Sequence, residues 1–81
     1  MTAAGLRPFV VFGFASVHDT LAAEDVLRAV GVPALTIPSP RELGELCGIA
    51  LRVEPSAAEA AEAALAGAHT PARARAEILD R

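Results

Sequence analysis

Residues Phe9-Val10-Val11-Phe12-Gly13-Phe14-Ala15 form an unbroken apolar run, β-branched and aromatic. A run apolar on both faces predicts a strand in the middle of its sheet. Polar and apolar positions then change period. Ser16, with Asp19 three residues on, reads as a helix cap, and Val17 to Val30 reads as the helix it opens. Ala23, Val26, Leu27 and Val30 follow the i, i+3, i+4, i+7 spacing of a buried stripe. Glu24 and Arg28 stand four apart on another face, in the favourable order for an ion pair. Gly31 closes the helix and Pro33 forbids its return.

The second half repeats the alternation of strand and helix. Val32 to Ile37 reads as a strand stopped by Pro38-Ser39-Pro40. Ser39 and Glu42 form a second cap signature with Pro40 at the first helical position, so Pro40 to about Leu46 predicts one or two helical turns. Ile49 to Glu54 alternates, which predicts a third strand with Ile49, Leu51 and Val53 inward. Ser56 and Glu59 open an alanine-rich helix that ends at Gly67. From Ala72 onward alanine favours helix, but the alternation of Ala72, Ala74, Ala76 and Ile78 with Arg73, Arg75 and Glu77 favours an edge strand with a frayed end. Residues 1–6 read as a loose start.

The order predicts an α+β fold, a ferredoxin-like βαββαβ sandwich with an antiparallel sheet and helices on one face. It predicts a single domain over 1–81, with a core at about 7–68 and an edge strand or tail at 69–81. Two consequences follow. The apolar first strand should leave two or three Phe or Val side chains on the open sheet face, a patch suited to a homodimer or another protein. The connections after the first and second strands are expected at opposite ends of the sheet, building one site only if the short turn-helix folds back.

Composition narrows the function. The chain has 81 residues, a net charge of −3 and one cysteine. One cysteine excludes an internal disulfide, a CxxC pair and a multi-cysteine zinc site; two histidines make a closed metal site a poor fit, and no cofactor or metal is implied. All seven basic residues are arginine and the balance is acidic, which argues against nucleic acid as partner. The longest apolar run, Pro8 to Ala15, is too short to cross a bilayer, and no targeting segment is visible, so a cytoplasmic protein with a reduced thiol is expected.

Cys47 is the strongest nucleophile in the chain and is followed by Gly48, which would let the backbone turn and leave room beside the sulfur. A thiol reacts as thiolate; Arg41 or Arg52 could supply positive charge, against Glu42 and Glu45. The other reading is a buried cysteine that only packs. His18, in the first helical turn, could act as acid or base, or be an exposed polar residue.

The run Ile37-Pro38-Ser39-Pro40-Arg41-Glu42-Leu43, with Cys47-Gly48-Ile49 after it and Phe14-Ala15-Ser16-Val17-His18-Asp19 before it, resembles a family of small bacterial proteins described as selenium/sulfur carrier-like. The resemblance covers about residues 8–65. It implies that Cys47 holds sulfur or selenium as a persulfide-type adduct, received from a cysteine desulfurase-type donor and passed to an acceptor: a carrier rather than a catalyst. It implies that His18 and Arg41 assist, on a turn shaped by Pro38, Pro40, Glu42 and Gly48. Val17 and Ser39 stand where the family has threonine, and Gly44 where it commonly has a serine. The alternative is a non-catalytic dimeric interaction or regulatory module with a structural cysteine. A lone-thiol redox sensor ranks behind both.

Overall fold

The computed structural model describes residues 5–81; of the loose start expected at 1–6, residues 1–4 lie outside the described residues. The elements are β1 (Arg7–Gly13), α1 (Val17–Ala29), β2 (Leu35–Pro38), β3 (Ile49–Val53), α2 (Ala58–Gly67) and β4 (Ala74–Asp80), with 3-10 turns at Arg41–Leu43 and Pro55–Ala57. One antiparallel sheet runs β2-β3-β1-β4. The fold is α+β, in the ferredoxin-like arrangement expected. β1, apolar on both faces, is a central strand as its composition requires.

Alternation along β1 feeds two clusters. Val10 and Phe12 point to the helix side and, with Phe14, pack with Leu51 and Val53 of β3, Ala23 and Leu27 of α1, and Ala58, Ala61 and Leu65 of α2. Val11, on the other face, packs with Ala50 and with Leu43 of the first 3-10 turn; Ile37, Ala74, Ala76 and Ile78 border them. On α1 the buried positions are Thr20, Ala23 and Leu27, whereas Val30 is exposed. The stripe is therefore displaced one turn towards the N-terminus from the expected one.

The outer face departs from expectation. Among the described residues no patch of exposed Phe and Val exists there: Phe9 and Val11 are both buried. The Arg52 and Arg7 guanidinium groups lie over the Phe9 ring, 3.9 and 4.4 Å from its centroid, and Leu43 closes over Val11. Arginine stems and planar heads cover apolar surface while keeping their charge in water. Arg52 is held there by Asp80 at 3.0 Å, and Arg7 by a two-pronged pair with Glu54 at 2.6 and 2.8 Å. The observation that motivated a homodimer through this face is thereby removed.

The last strand is also firmer than expected. β4 is the edge strand, but it pairs with β1 in seven positions, from Arg7↔Asp80 to Gly13↔Ala74. Its small alternating side chains lie against Gly13, Val11 and Phe9 on the outer face, while Arg75 pairs with Glu62 of α2 on the other.

Two of the three expected caps do not form. Ser16 does cap α1, accepting from the Asp19 N–H at 3.0 Å. The first 3-10 turn has Pro40 at its N-cap with no side-chain hydrogen bond, and it is shorter than the Pro40–Leu46 helix expected. The helix α2 is entered through the second 3-10 turn, which moves its N-cap to Ala57 and leaves Ser56 outside the capping position.

Candidate functional site

β1 and β2 are both antiparallel to β3 and therefore parallel to each other. Their C-terminal ends share one end of the sheet, not opposite ends as the sequence reading expected. The β1–α1 and β2–β3 connections meet there.

The β2–β3 connection, residues 39–48, is a closed loop. The Ser39 N–H donates to the Gly48 carbonyl at 3.0 Å and joins its two ends. Pro38 and Pro40 carry no N–H, so Ser39 supplies the one backbone donor at this point. The loop turns at Gly44, with φ 75° and ψ −165°, a conformation essentially reserved for glycine. This accounts for glycine where a serine resembling the family's would stand. Gly48, by contrast, has no left-handed φ, and nothing lies within 4 Å of where its Cβ would be. The sharp turn expected at Gly48 is made at Gly44 instead.

The loop curls round the end of the sheet. On the outer face, a Cβ at Gly13 would stand 2.8 Å from Leu46 Cδ1 and 3.1 Å from Leu43 Cδ1. Glycine at the end of β1 thus lets the loop seat. On the helix face, Cys47 reaches α1. The residue is half-buried, and its sulfur lies 3.6 Å from Thr20 Oγ1 and donates to the Ile49 carbonyl at 3.1 Å. A carbonyl only accepts, so in this pair the sulfur is the donor. Thr20 is fully buried, and its hydroxyl donates to the Ser16 carbonyl at 2.9 Å.

Cys47 also lines a hollow of about 540 Å³, with Ser39, Arg41, Glu45, Leu46 and Gly48. Arg41 is exposed, and its guanidinium pairs with no carboxylate among the described residues. Arg52, the other candidate for charge near the sulfur, is committed to Asp80 and Phe9 on the outer face. Pro38 and Pro40 form the wall between this hollow and a second one on the outer face, into which Glu42 projects with Ile37 and Ile78.

His18 lines a separate cleft with Asp19, His69, Thr70 and Arg73. Two residues along a helix turn the side chain by roughly 200°, so His18 and Thr20 leave α1 on opposite sides. Cys47 and Arg41 are brought together; His18 shares their end of the sheet but not their hollow. The residue missed from the sequence is Thr20. Its signal was available: positions 20, 23 and 27 continue the buried stripe one turn upstream, and a hydroxyl on such a stripe needs a buried partner. Among the described residues, no group of three or more His, Cys, Asp or Glu is placed to hold a metal ion.

These features define a small α+β protein that presents one half-buried thiol on a closed loop at the end of its sheet. The family described as "Putative Se/S carrier protein-like" matches residues 9–75, and the chain belongs to that family. No curated protein and no solved structure matches the chain. Among the described residues, no helix is long and apolar enough to cross a membrane.

Proposed function

We propose that this protein carries sulfur or selenium on Cys47 between a donor and an acceptor protein. The observation that carries the reading is a lone, half-buried cysteine that lines a hollow with an arginine unpaired among the described residues, in a chain of this family. The Cys47 thiolate attacks the terminal sulfur of a donor persulfide. A new sulfur–sulfur bond forms, the donor's bond breaks, and the donor cysteine leaves as a thiolate. Sulfane sulfur changes hands with no net oxidation. A selenium atom is exchanged by the same displacement.

Arg41 would then stand beside the anionic adduct, and His18 would lie on the surface a docked donor covers. A cysteine desulfurase-type enzyme in the cytoplasm, where thiols stay reduced, is the donor that fits this chemistry. The protein transfers the atom without a substrate of its own.

The test is intact mass after incubation with a cysteine desulfurase and cysteine. A gain of one sulfur atom, lost under dithiothreitol and absent from Cys47→Ala, is expected. No gain on the native protein, with a desulfurase shown to be loaded, would sink the proposal.

The hydrogen bond from the thiol to Ile49 favours a second reading, a cysteine that only packs within an interaction module. Slow labelling of Cys47 by a bulky maleimide in the folded protein, against rapid labelling once unfolded, is its signature.

A further inference from the structure

The thiol has one neighbour that nothing in its local sequence announces. Thr20 is fully buried. Its hydroxyl has two acceptors within reach, the Ser16 carbonyl at 2.9 Å and the Cys47 sulfur at 3.6 Å, and one hydrogen to give. While the sulfur is protonated, its own hydrogen goes to the Ile49 carbonyl and the Thr20 hydrogen to Ser16. Every donor is used.

Cys47 is only half-buried, so ionisation can release its proton to water. The sulfur then faces a carbonyl oxygen at 3.1 Å with no hydrogen between them, which is repulsive. Thr20 can answer without moving a heavy atom. Rotation about its Cβ–Oγ1 bond takes the hydroxyl hydrogen from Ser16 to the sulfur. Ser16 loses nothing essential, because its carbonyl also accepts the Thr20 backbone N–H at 3.0 Å.

We propose that Thr20 is the positioning residue of Cys47: its hydroxyl is a two-position donor that turns from the Ser16 carbonyl to the sulfur when the thiol ionises, and so sets the reactivity of the carrier thiol. The role rests on Cys47 being the reacting atom, as proposed above. The hydroxyl comes from α1 and the sulfur from the β2–β3 loop, so the contact also reports whether the loop is seated. A loop lifted from α1 exposes a thiol with no donor; a seated loop offers a thiolate one charge-assisted hydrogen bond.

The charged groups around the sulfur bear on any pH profile. From its own loop, Arg41 and Glu45 line the hollow. On α1, His18 and Asp19 open into the other cleft, and Glu24 is held by the Thr36 hydroxyl and the Arg28 guanidinium. On β3, Arg52 faces the outer side, where it lies over Phe9. Thr20 is therefore the only side-chain donor in hydrogen-bond reach of the sulfur among the described residues.

The experiment measures the second-order rate of iodoacetamide alkylation of Cys47 against pH in the native protein, Thr20→Val and Thr20→Ser. Valine keeps the shape and leaves no orphaned carbonyl; serine keeps the hydroxyl. Losing one hydrogen bond to an ionised group lowers the thiolate fraction of a mostly protonated thiol about tenfold, and the freed thiolate is about threefold more nucleophilic, so alkylation at neutral pH slows about threefold. Thr20→Val is expected to show that loss, with its rate rising at higher pH than in the native protein, and Thr20→Ser to stay within about twofold of native. Urea denaturation of both variants confirms that each is folded at the assay condition. An unchanged Thr20→Val profile, or equal losses in both variants, would overturn the proposal. Alkylation needs no donor protein, so a failure of sulfur loading with the threonine effect intact counts against the carrier reading alone.

Discussion

Leu43 is the side chain through which the β2–β3 loop grips the sheet, and Leu43→Ala measures that grip. The residue is 6% exposed and closes over Val11 and Ala50, both at 0%. Truncation removes three carbons from this contact. At about 0.8 kcal/mol per buried methylene the transfer loss is ~2.4 kcal/mol. Buried Leu→Ala changes span roughly 2–5 kcal/mol because a rigid cavity adds to the transfer loss. Here the cavity contribution is small, since the loop lies at the surface and can settle into the space. The expected loss is therefore about 2.5 kcal/mol, near the low end of that range. In a domain of this size it lowers the melting temperature by roughly 10–15 °C. Urea and thermal unfolding read the global loss. Leu79→Ala is the control: Leu79 is 68% exposed, and its truncation should cost under about 0.5 kcal/mol. A Leu43→Ala protein with the stability of that control would refute the claim that this loop covers the outer face.

Two further outcomes follow from the polar groups. Ser39 Oγ is buried with no hydrogen-bond partner among the described residues, so Ser39→Ala removes a desolvated hydroxyl and should raise the urea midpoint, stabilising by up to about 1 kcal/mol; a loss of stability would mean that the hydroxyl has a partner after all. The Arg7 guanidinium holds the Glu54 carboxyl below its ordinary range, and the Arg81 N–H and then the Arg52 guanidinium do the same for Asp80. A carboxyl lowered in the folded state contributes stability that is present above its unfolded value and is lost as pH falls through the folded one. Stability should therefore decline below about pH 4.5, with the unfolded chain taking up protons first. Glu54→Gln with Asp80→Asn should flatten that part of the profile, and an unaltered acid limb in the double variant would contradict the assignment.

How much could be read in advance depended on how local the determinant was. The strand period of Ile49 to Val53 and the stripe through Ala23 and Leu27 are properties of consecutive residues, so the elements they predict are present. The Ser-x-x-acid signature recurs at Ser16, Ser39 and Ser56, yet it caps a helix only at Ser16. A cap needs an extended residue leading directly into a helix. Ser39 lies between two prolines in a closed loop, and Ser56 lies inside a 3-10 turn. The spacing is identical in all three; the backbone path is not.

The candidate site divides in the same way. Cys47, Arg41 and the flanking prolines lie within ten residues, and their shared hollow follows from one loop. His18 was assigned by its place in a motif, but a helix separates residues two apart onto opposite sides, and the sulfur meets Thr20 instead.

The sequence by itself determined the order of the elements, the central place of β1 and the position of a lone thiol on a proline-flanked turn. These depend on side-chain periodicity and on backbone restrictions at proline and glycine, which act over a few residues. Tertiary structure decided that the β1 and β2 ends coincide, that Leu43 and Arg52 cover the outer face, and that Thr20 meets a sulfur 27 positions away. Such contacts are fixed by which strands pair and in what register, and no local pattern encodes the pairing of distant segments.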